Sequence, residues 1–227
     1  MSNPPVTIAF IGDSITQGCF EVYYKTPTQL DTVYEYNNAF PTRVREMLAL
    51  LYPSVQVNII NSGISGDNAV NGNNRFERDI APFHPDMVVV SFGLNDACQG
   101  VEKVEQYTTA LTNIFNKVKD MGAECIFIFQ NMMNTQVSCH LKDEREQNLA
   151  KWFAEVQNTG VVDTYYNAAK QTAADCGVEF CDIYGAWKAM YEYGVNITEL
   201  LSNKYNHPER DFHYYIAIKL VEKMFSL

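Results

Sequence analysis

Ser14 has the type and the position of a nucleophile. The apolar run at 6–11, "VTIAFI", is followed by "GDSITQG", in which Gly12 permits a tight turn directly before the serine. A serine where a strand passes into a helix exposes its hydroxyl, and its own N–H lies near the positive end of that helix. The same serine would also suit an N-cap, which is a common role. Asp13, beside it, is a candidate substrate contact.

Two further loops have residues that could stabilise a developing negative charge. "NSGISGDNA" follows the apolar run at 55–60, and Gly63 and Gly66 in it give a flexible backbone that could present an N–H to a ligand oxygen, although turn formation alone would explain such a segment. "GLNDA" follows the run at 87–92, and its Asn95 supplies a neutral amide donor. Fixed donors of this kind stabilise the oxyanion that forms when a serine attacks an acyl group. Three such loops, each after an apolar run, are more specific than any one of them.

A serine hydroxyl needs a base to take its proton, and the chain has four histidines. His84 precedes the run at 87–92, so we expect it at the opposite edge of any sheet that these runs form. His140 follows the run at 125–130 and could border the same edge as Ser14. It is a candidate substrate contact.

The other two histidines lie six residues apart in "LLSNKYNHPERDFH" at 200–213. Pro208 is well placed as the first residue of a helix, which leaves His207 in the incoming loop and His213 inside the helix. A histidine on or beside the buried stripe of a helix is more often a structural group than a base. His207 is therefore the predicted base.

Five apolar runs alternate with segments of helical periodicity. Runs this continuous are typical of strands buried on both faces of a parallel sheet. The alternation predicts a three-layer α/β/α sandwich with a central parallel five-stranded sheet. Ligands in such folds bind beyond the carboxyl ends of the strands, where the three loops lie. The runs are 6–11, 55–60, 87–92, 125–130 and, more weakly, 178–183, and the helical segments are 37–52, 67–81, 101–122, 143–158 and 208–227.

Length, charge and cysteine usage narrow the class of protein. A chain of 227 residues can bury one sizeable core, so we expect a single domain over 1–227. A net charge of -10 without any basic run argues against a nucleic-acid partner. The apolar run at 6–11 is too short for a signal peptide or a membrane span. Six cysteines without metal-ligand spacing indicate packed, reduced thiols. Together these features predict a cytoplasmic protein without membrane insertion.

The loops in this order resemble the four blocks of the SGNH (GDSL-type) hydrolases. The matching features are "GDSITQG" at 12–18, Gly63, Asn95 and a histidine–proline pair near the C-terminus, and they cover essentially the whole chain. The resemblance implies a flavodoxin-like sheet, hydrolysis of ester or acyl groups, and no cofactor. It also implies Ser14 as the nucleophile, His207 as the base, and an oxyanion hole built from the N–H groups of Ser14 and Gly63 with the Asn95 amide.

The chain departs from this family pattern at the position where a carboxylate is expected beside the base. Most members have Asp three residues before the base, where this chain has Lys204, which cannot accept a hydrogen bond from imidazole. Asn203, one residue earlier, could orient the ring of His207 and is the candidate third catalytic residue. A backbone carbonyl would give a Ser–His dyad instead. Asp211 and Glu199 are possible substitutes that the sequence does not place.

The segment between Cys19 and Phe40 is long, rich in tyrosine and without clear helical period. Connections of this length are often functional, and this one leaves from the nucleophile turn. Tyr23, Tyr24 and Tyr34 could line a site for a sugar ring or a short acyl chain, although an ordered surface excursion fits equally well.

The expected substrate is a small-molecule ester, with O-acetylated carbohydrate ahead of a lysophospholipid or thioester. A second hypothesis is a protein whose catalysis has decayed and which only binds an acylated ligand, because Lys204 stands where Asp is expected. A third is acyl transfer to a sugar by the same residues. The sequence does not indicate an oligomeric state.

Overall fold

Five parallel strands form one sheet in the computed structural model, which describes residues 4–226. The strands of the chain are β1 (Val6–Gly12), β2 (Cys19–Thr26), β3 (Gln29–Tyr34), β4 (Val57–Gly63), β5 (Met87–Ser91), β6 (Glu124–Phe129) and β7 (Glu179–Asp182). The order across the large sheet is β4, β1, β5, β6, β7, and each neighbouring pair is parallel. All five expected strands are therefore found, and the predicted α/β class is confirmed.

Helices cover both faces of this sheet and make the three layers. They are α1 (Ser14–Gln17), α2 (Phe40–Leu51), α3 (Ala69–Asp79), α4 (Leu94–Ala97), α5 (Val104–Asp120), α6 (Glu144–Asn158), α7 (Val161–Asp175), α8 (Ile183–Glu192) and α9 (Arg210–Met224). Helices α2 and α9 pack against each other, and α3, α5 and α7 pack in a row. Helices α7 and α8 were not among the expected helical segments. No helix within 4–226 is both long and apolar enough to cross a membrane.

The central strands owe their position to continuous apolar sequence. Phe10 and Ile11 of β1, and Val88, Val89 and Val90 of β5, are buried, so these strands have no solvent face. Burying a side chain of this size contributes about 1.5–3 kcal/mol, which an alternating polar strand would not gain. The two strands consequently lie next to each other in the interior of the sheet, and their carboxyl ends meet at one edge.

The tyrosine-rich segment is a β-hairpin and not a loop. Strands β2 and β3 pair antiparallel across a two-residue turn, Pro27 and Thr28, and form a separate two-stranded sheet. The sequence prediction missed this pair, although its β-branched and aromatic residues favour strands. The domain prediction covers 1–227, of which 1–3 and 227 lie outside the described residues.

Candidate active site

The carboxyl ends of β1 and β5 bring candidate residues from distant parts of the chain into one cleft. Ser14 begins α1 directly after β1, and Asn95 lies in α4 just after β5. His207 comes from the loop that precedes α9. All three line a cleft of about 290 Å³. A wider surface groove of about 490 Å³ beside α5 has no serine or histidine in its lining.

Ser14 and His207 are in hydrogen-bonding contact. The Ser14 Oγ lies 2.9 Å from Nε2 of His207, and Nδ1 of the same ring lies 3.0 Å from the carbonyl oxygen of Phe20. Because a carbonyl can only accept, the hydrogen of a neutral imidazole must be on Nδ1, and Nε2 is left to accept from the serine hydroxyl. Burial lowers the pKa of His207 to about 4, so the ring is neutral at pH 7. The pair is arranged for proton transfer from Ser14 to His207.

Asn203 does not face the imidazole, which corrects the expectation for the orienting group. Its Oδ1 accepts the backbone N–H groups of Tyr205, Asn206 and His207, at 3.1, 3.0 and 3.0 Å. Its Nδ2 donates to Asn206 Oδ1 at 2.9 Å. All the hydrogen bonds of the Asn203 side chain stabilise the turn that carries His207. The group beside Nδ1 of the ring is the Phe20 carbonyl, which is the backbone-carbonyl alternative of the sequence analysis.

Neither of the two other acids is beside the ring. Glu199 accepts from the Ser138 hydroxyl at 2.6 Å and lies 3.6 Å from Nζ of Lys204. Lys204 has a left-handed backbone, with φ 63°, and its ammonium also lies 3.5 Å from Glu209. The lysine that replaces the expected Asp therefore turns away from the ring and ties the loop to neighbouring acids. Within residues 4–226, Asp211 makes no hydrogen bond to the His207 ring.

Gly63 is not placed to donate to a ligand, which corrects a second expectation. It is the last residue of β4, because this strand extends three residues beyond the predicted end, and its N–H donates to Asn61 Oδ1 at 3.0 Å. A Cβ on Gly63 would come within 2.2 Å of the Gln17 nitrogen, so this glycine permits close packing of α1 on β4. Gly66, in the same segment, lines the cleft instead. Its φ of +79° is a conformation that favours glycine.

The N–H groups of Ser14 and Gly66 donate to no acceptor within the described part of the chain, and both residues line the cleft. Asn95 Nδ2 donates to the Asp67 carbonyl at 2.9 Å, and Asp13 Oδ2 lies 3.4 Å away. One amide hydrogen of Asn95 is thus used to hold the Gly66 segment, and the other has only this long contact. These three groups are the available donors for an oxyanion.

Asp13 is buried beneath the site and does not line the cleft, so the prediction of a substrate contact is corrected. Its Oδ1 accepts from the Ile15 N–H at 3.0 Å, which caps α1, and from Gln130 Nε2 at 2.8 Å. Burial raises the pKa of this carboxyl to about 6. Asp13 supports the turn of Ser14 from below.

Arg75, in α3, is a buried residue that the sequence analysis missed. Its Nε donates to Asp67 at 2.6 Å, its Nη2 to the Gly12 carbonyl at 2.9 Å, and its Nη1 to the Ser62 carbonyl at 2.8 Å. It therefore joins the end of β1 to the segment that carries Gly66. The sequence held one signal for a buried arginine: Arg75 lies one turn after Gly72, on the face of α3 that packs against the protein interior.

The hairpin lines the cleft with residues other than the expected tyrosines. Val22, Leu30 and Thr32 face it, together with Leu149 and Phe153 of α6. This wall is mostly apolar, so it suits an apolar part of a ligand.

The three tyrosines and His140 lie outside the cleft lining, and those predictions are corrected. Tyr23 is exposed, Tyr24 lies under the Arg145 guanidinium at 3.8 Å, and the Tyr34 hydroxyl donates to Ser65 Oγ at 3.0 Å. His140 is exposed, with Nε2 3.5 Å from Glu199. The direction of these four side chains follows from strand pairing in the hairpin and from contacts outside the cleft, which the sequence alone does not reveal. Within 4–226 no group of three or more His, Cys, Asp or Glu is arranged to hold a metal ion.

Comparisons with known proteins agree with this architecture. The model of the GDSL-like Lipase/Acylhydrolase family matches residues 10–213. An arylesterase of Vibrio mimicus is 28% identical over 118 residues, 52% of this chain and 51% of the relative, so the match spans about half of that protein's length. An acetylxylan esterase of Geobacillus stearothermophilus is 24% identical over 168 residues, 69% of this chain and 75% of the relative.

A solved acetylxylan esterase from Geobacillus stearothermophilus has the same fold. It superimposes with a TM-score of 0.70 at 20% identity, over 99% of this chain and 96% of that chain. At this identity the likeness concerns the fold. It extends over the whole sheet and the helices around it.

Proposed function

Because the chain belongs to the GDSL-like lipase/acylhydrolase family, we propose that this esterase cleaves small carboxylic esters through an acyl intermediate on Ser14. The observation that carries the proposal is the 2.9 Å contact between Ser14 Oγ and His207 Nε2. The neutral state of the buried imidazole supports it, since only the neutral ring can accept the serine proton. The same contact favours catalysis over a protein that only binds an acylated ligand.

The proposed reaction has two halves. Nε2 of His207 takes the hydroxyl proton while Ser14 Oγ attacks the ester carbonyl carbon, and the leaving alcohol then receives that proton. Water, deprotonated by the same nitrogen, next attacks the acyl-serine carbonyl; as the bond to Ser14 Oγ breaks, His207 returns that proton to Oγ and the acid is released. The oxyanion of each half would be held by the N–H groups of Ser14 and Gly66 and by the Asn95 amide. Loss of one such donor typically costs about 100- to 1000-fold in kcat.

We propose an acetyl ester as the substrate, with O-acetylated carbohydrate ahead of other leaving groups. A cleft of about 290 Å³ is at the small end of ligand sites, so a long acyl chain would project out of it. The acetylxylan esterase among the relatives supports the carbohydrate. The apolar wall of Val22, Leu149 and Phe153 favours aryl acetates as the second candidate, which agrees with the arylesterase relative.

Turnover of p-nitrophenyl acetate and labelling by a fluorophosphonate test this proposal. Wild-type protein should do both, Ser14→Ala should lose both, and Ser54→Ala should behave as wild type because this exposed serine precedes β4, at the opposite edge of the sheet from the cleft. Comparing acetylated xylooligosaccharide with p-nitrophenyl acetate ranks the leaving groups, and a sugar acceptor tests acyl transfer. Folded wild-type protein without turnover or label on Ser14 would contradict the proposal.

We also propose that residues 1–227 act as one domain in the cytoplasm, with a small-molecule ester and without a nucleic-acid partner. The 27 acidic residues against 17 basic residues support the absence of a nucleic-acid partner, because the resulting negative charge repels phosphate groups. Burial raises the pKa of the thiols of Cys125 and Cys181 to about 12, which suits packed, reduced cysteines. Fractionation of cells that express the tagged protein would test the location.

A further inference from the structure

The carbonyl oxygen of Phe20 accepts two hydrogen bonds from residues 201–208, the loop that carries His207 and is called the histidine loop below. Nδ1 of His207 lies 3.0 Å from it, and the Ser202 hydroxyl donates to it at 2.8 Å. The Ser202 Oγ is also 3.3 Å from the His207 carbonyl, but its single hydrogen is directed by the shorter contact. The backbone N–H of Ser202 donates to that same His207 carbonyl at 2.8 Å. Ser202 therefore connects the imidazole-bearing residue to the acceptor of its ring.

A register shift explains why this carbonyl is available. Cys19 pairs with Tyr34 and Val22 pairs with Thr32, so the β2–β3 ladder is irregular between these two pairs, where Phe20 lies. Bulges of this kind redirect the groups of one strand away from its partner. The Phe20 carbonyl consequently faces the histidine loop.

Arg210 contacts the same stretch of β2. Its guanidinium lies 4.5 Å from the ring centre of Phe20, and it donates to both carboxylate oxygens of Glu21, at 2.6 and 3.1 Å. It also donates to Glu35, just beyond the end of β3, at 3.0 Å. Since Arg210 is the first residue of α9, three residues after His207, one side chain links the helix to both strands of the hairpin.

We propose that Ser202 and Arg210 are positioning residues that hold the Phe20 carbonyl against His207 Nδ1. This inference rests on the function proposed above. A carbonyl has no net charge, so its effect on the ring depends on its distance and direction, and both are set here by groups outside the Ser–His pair. A misplacement of about 1 Å in such an arrangement costs on the order of 100-fold in rate.

Ser202→Ala and Ser202→Thr form the direct test, with p-nitrophenyl acetate as substrate. In folded Ser202→Ala protein, kcat should fall roughly 10- to 100-fold with KM changed less than about twofold, because the ring loses its orientation while the cleft stays intact. Ser202→Thr keeps the hydroxyl and should recover most of kcat. Thr172→Ala, which removes a buried hydroxyl that donates to the Ala168 carbonyl within α7, is the matched control. An unchanged kcat, a rise in KM alone, or no recovery by threonine would overturn the inference.

Arg210→Met and Arg210→Lys keep the proposal testable if Ser202→Ala does not fold. Methionine should lower kcat more than lysine does, with KM again little changed. Lys188→Met is the control, since it removes a half-buried ion pair, with Asp163, away from the cleft. Equal kcat in Arg210→Met and wild type would contradict the role of Arg210. If wild-type protein neither turns over ester nor labels at Ser14, the proposed function fails; wild-type turnover that the variants leave unchanged overturns only the positioning role.

Discussion

At the scale of single residues, the unusual feature is a buried imidazole whose second nitrogen meets a neutral acceptor. In a Ser-His-Asp triad the carboxylate both orients the ring and stabilises the imidazolium. The Phe20 carbonyl can orient His207 and fix its tautomer, but it adds only a dipole to the imidazolium. Burial opposes that cation, and the pKa of His207 is lowered accordingly to about 4. The same burial keeps the imidazole unprotonated far below neutral pH.

The pH dependence of ester hydrolysis should show this low pKa. In the proposed mechanism the neutral ring is the active form, so kcat/KM should stay level from about pH 8 down to about pH 5 and fall as the pH passes through about 4. The measurement is kcat/KM for p-nitrophenyl acetate across this range, with circular dichroism at each pH as the control for unfolding. An acidic limb centred near 6.5, the ordinary value for His, that remains in Asp13→Asn and Asp96→Asn proteins would show that the imidazole is solvated.

At the scale of elements, the histidine loop is a closed unit between α8 and α9. Leu201 and Pro208 form an antiparallel bridge at its base, and Asn203 gathers three backbone N–H groups inside it. Asn131, just after β6, donates to the Asn206 carbonyl at 2.9 Å, and the Tyr205 hydroxyl donates to the Val22 carbonyl at 3.2 Å. The loop is thus attached both to the sheet and to the hairpin, which places His207 without help from a carboxylate.

Substitution of Asn203 separates a loop-closing role from a ring-orienting role. Asn203→Asp keeps an acceptor for the three N–H groups, so kcat should not rise, because the new carboxylate faces the backbone and not the imidazole. Asn203→Ala leaves those groups without their acceptor and should lower the free energy of unfolding by about 1–3 kcal/mol, with a loss of kcat.

Thermal unfolding and p-nitrophenyl acetate kinetics measure the effects at Asn203. Asn158→Ala, which removes one hydrogen bond at an exposed site, serves as the control. A tenfold or greater gain of kcat in Asn203→Asp would mean that this side chain reaches the ring after all.

At the scale of the whole molecule, buried carboxyls lie where the strands end. Asp96 is buried, its Oδ1 accepts from the Ala69 N–H at 3.0 Å, and its Oδ2 has no partner among residues 4–226. Burial raises its pKa to about 7, and it raises that of Asp13 to about 6. In the unfolded chain both carboxyls ionise near 3.8. From pH 3.8 up to the folded pKa of each group, the carboxyl is ionised in the unfolded state but keeps its proton in the folded state. The two groups therefore make the free energy of unfolding fall as the pH rises through this range.

Asp96→Asn should therefore stabilise the protein at alkaline pH. The amide keeps an acceptor for the Ala69 N–H but cannot ionise, so the melting temperature should rise by roughly 2–4 °C per kcal/mol gained. The gain should be present at about pH 8 and be much smaller at about pH 4, where the carboxyl is protonated in the folded state and only about half ionised in the unfolded state. Melting curves at these two pH values measure it, and Asp175→Asn at an exposed site is the control. Equal gains at both pH values would refute the raised pKa.

Much of the fold followed from local sequence. Each central strand is a continuous apolar run because both of its faces are buried, and the candidate residues Ser14 and Asn95 follow such runs directly. The hairpin was missed because its strands carry polar and aromatic residues without a clean alternation. The resemblance assigned the oxyanion role to Gly63, but pairing with β1 extends β4 to Gly63, and Gly66 lines the cleft.

The sequence by itself determined the sheet, the family and the pairing of Ser14 with His207 as candidates, since those depend on residue type and order. Only the tertiary structure decided what lies beside the second nitrogen of His207. The acceptor is a backbone carbonyl 187 positions away in the chain, directed by a register shift and held by Ser202 and Arg210. Every residue has the same backbone carbonyl whatever its side chain, so no residue type in the sequence marks this one. The carbonyl reaches its place beside the ring only when the hairpin and the histidine loop pack together.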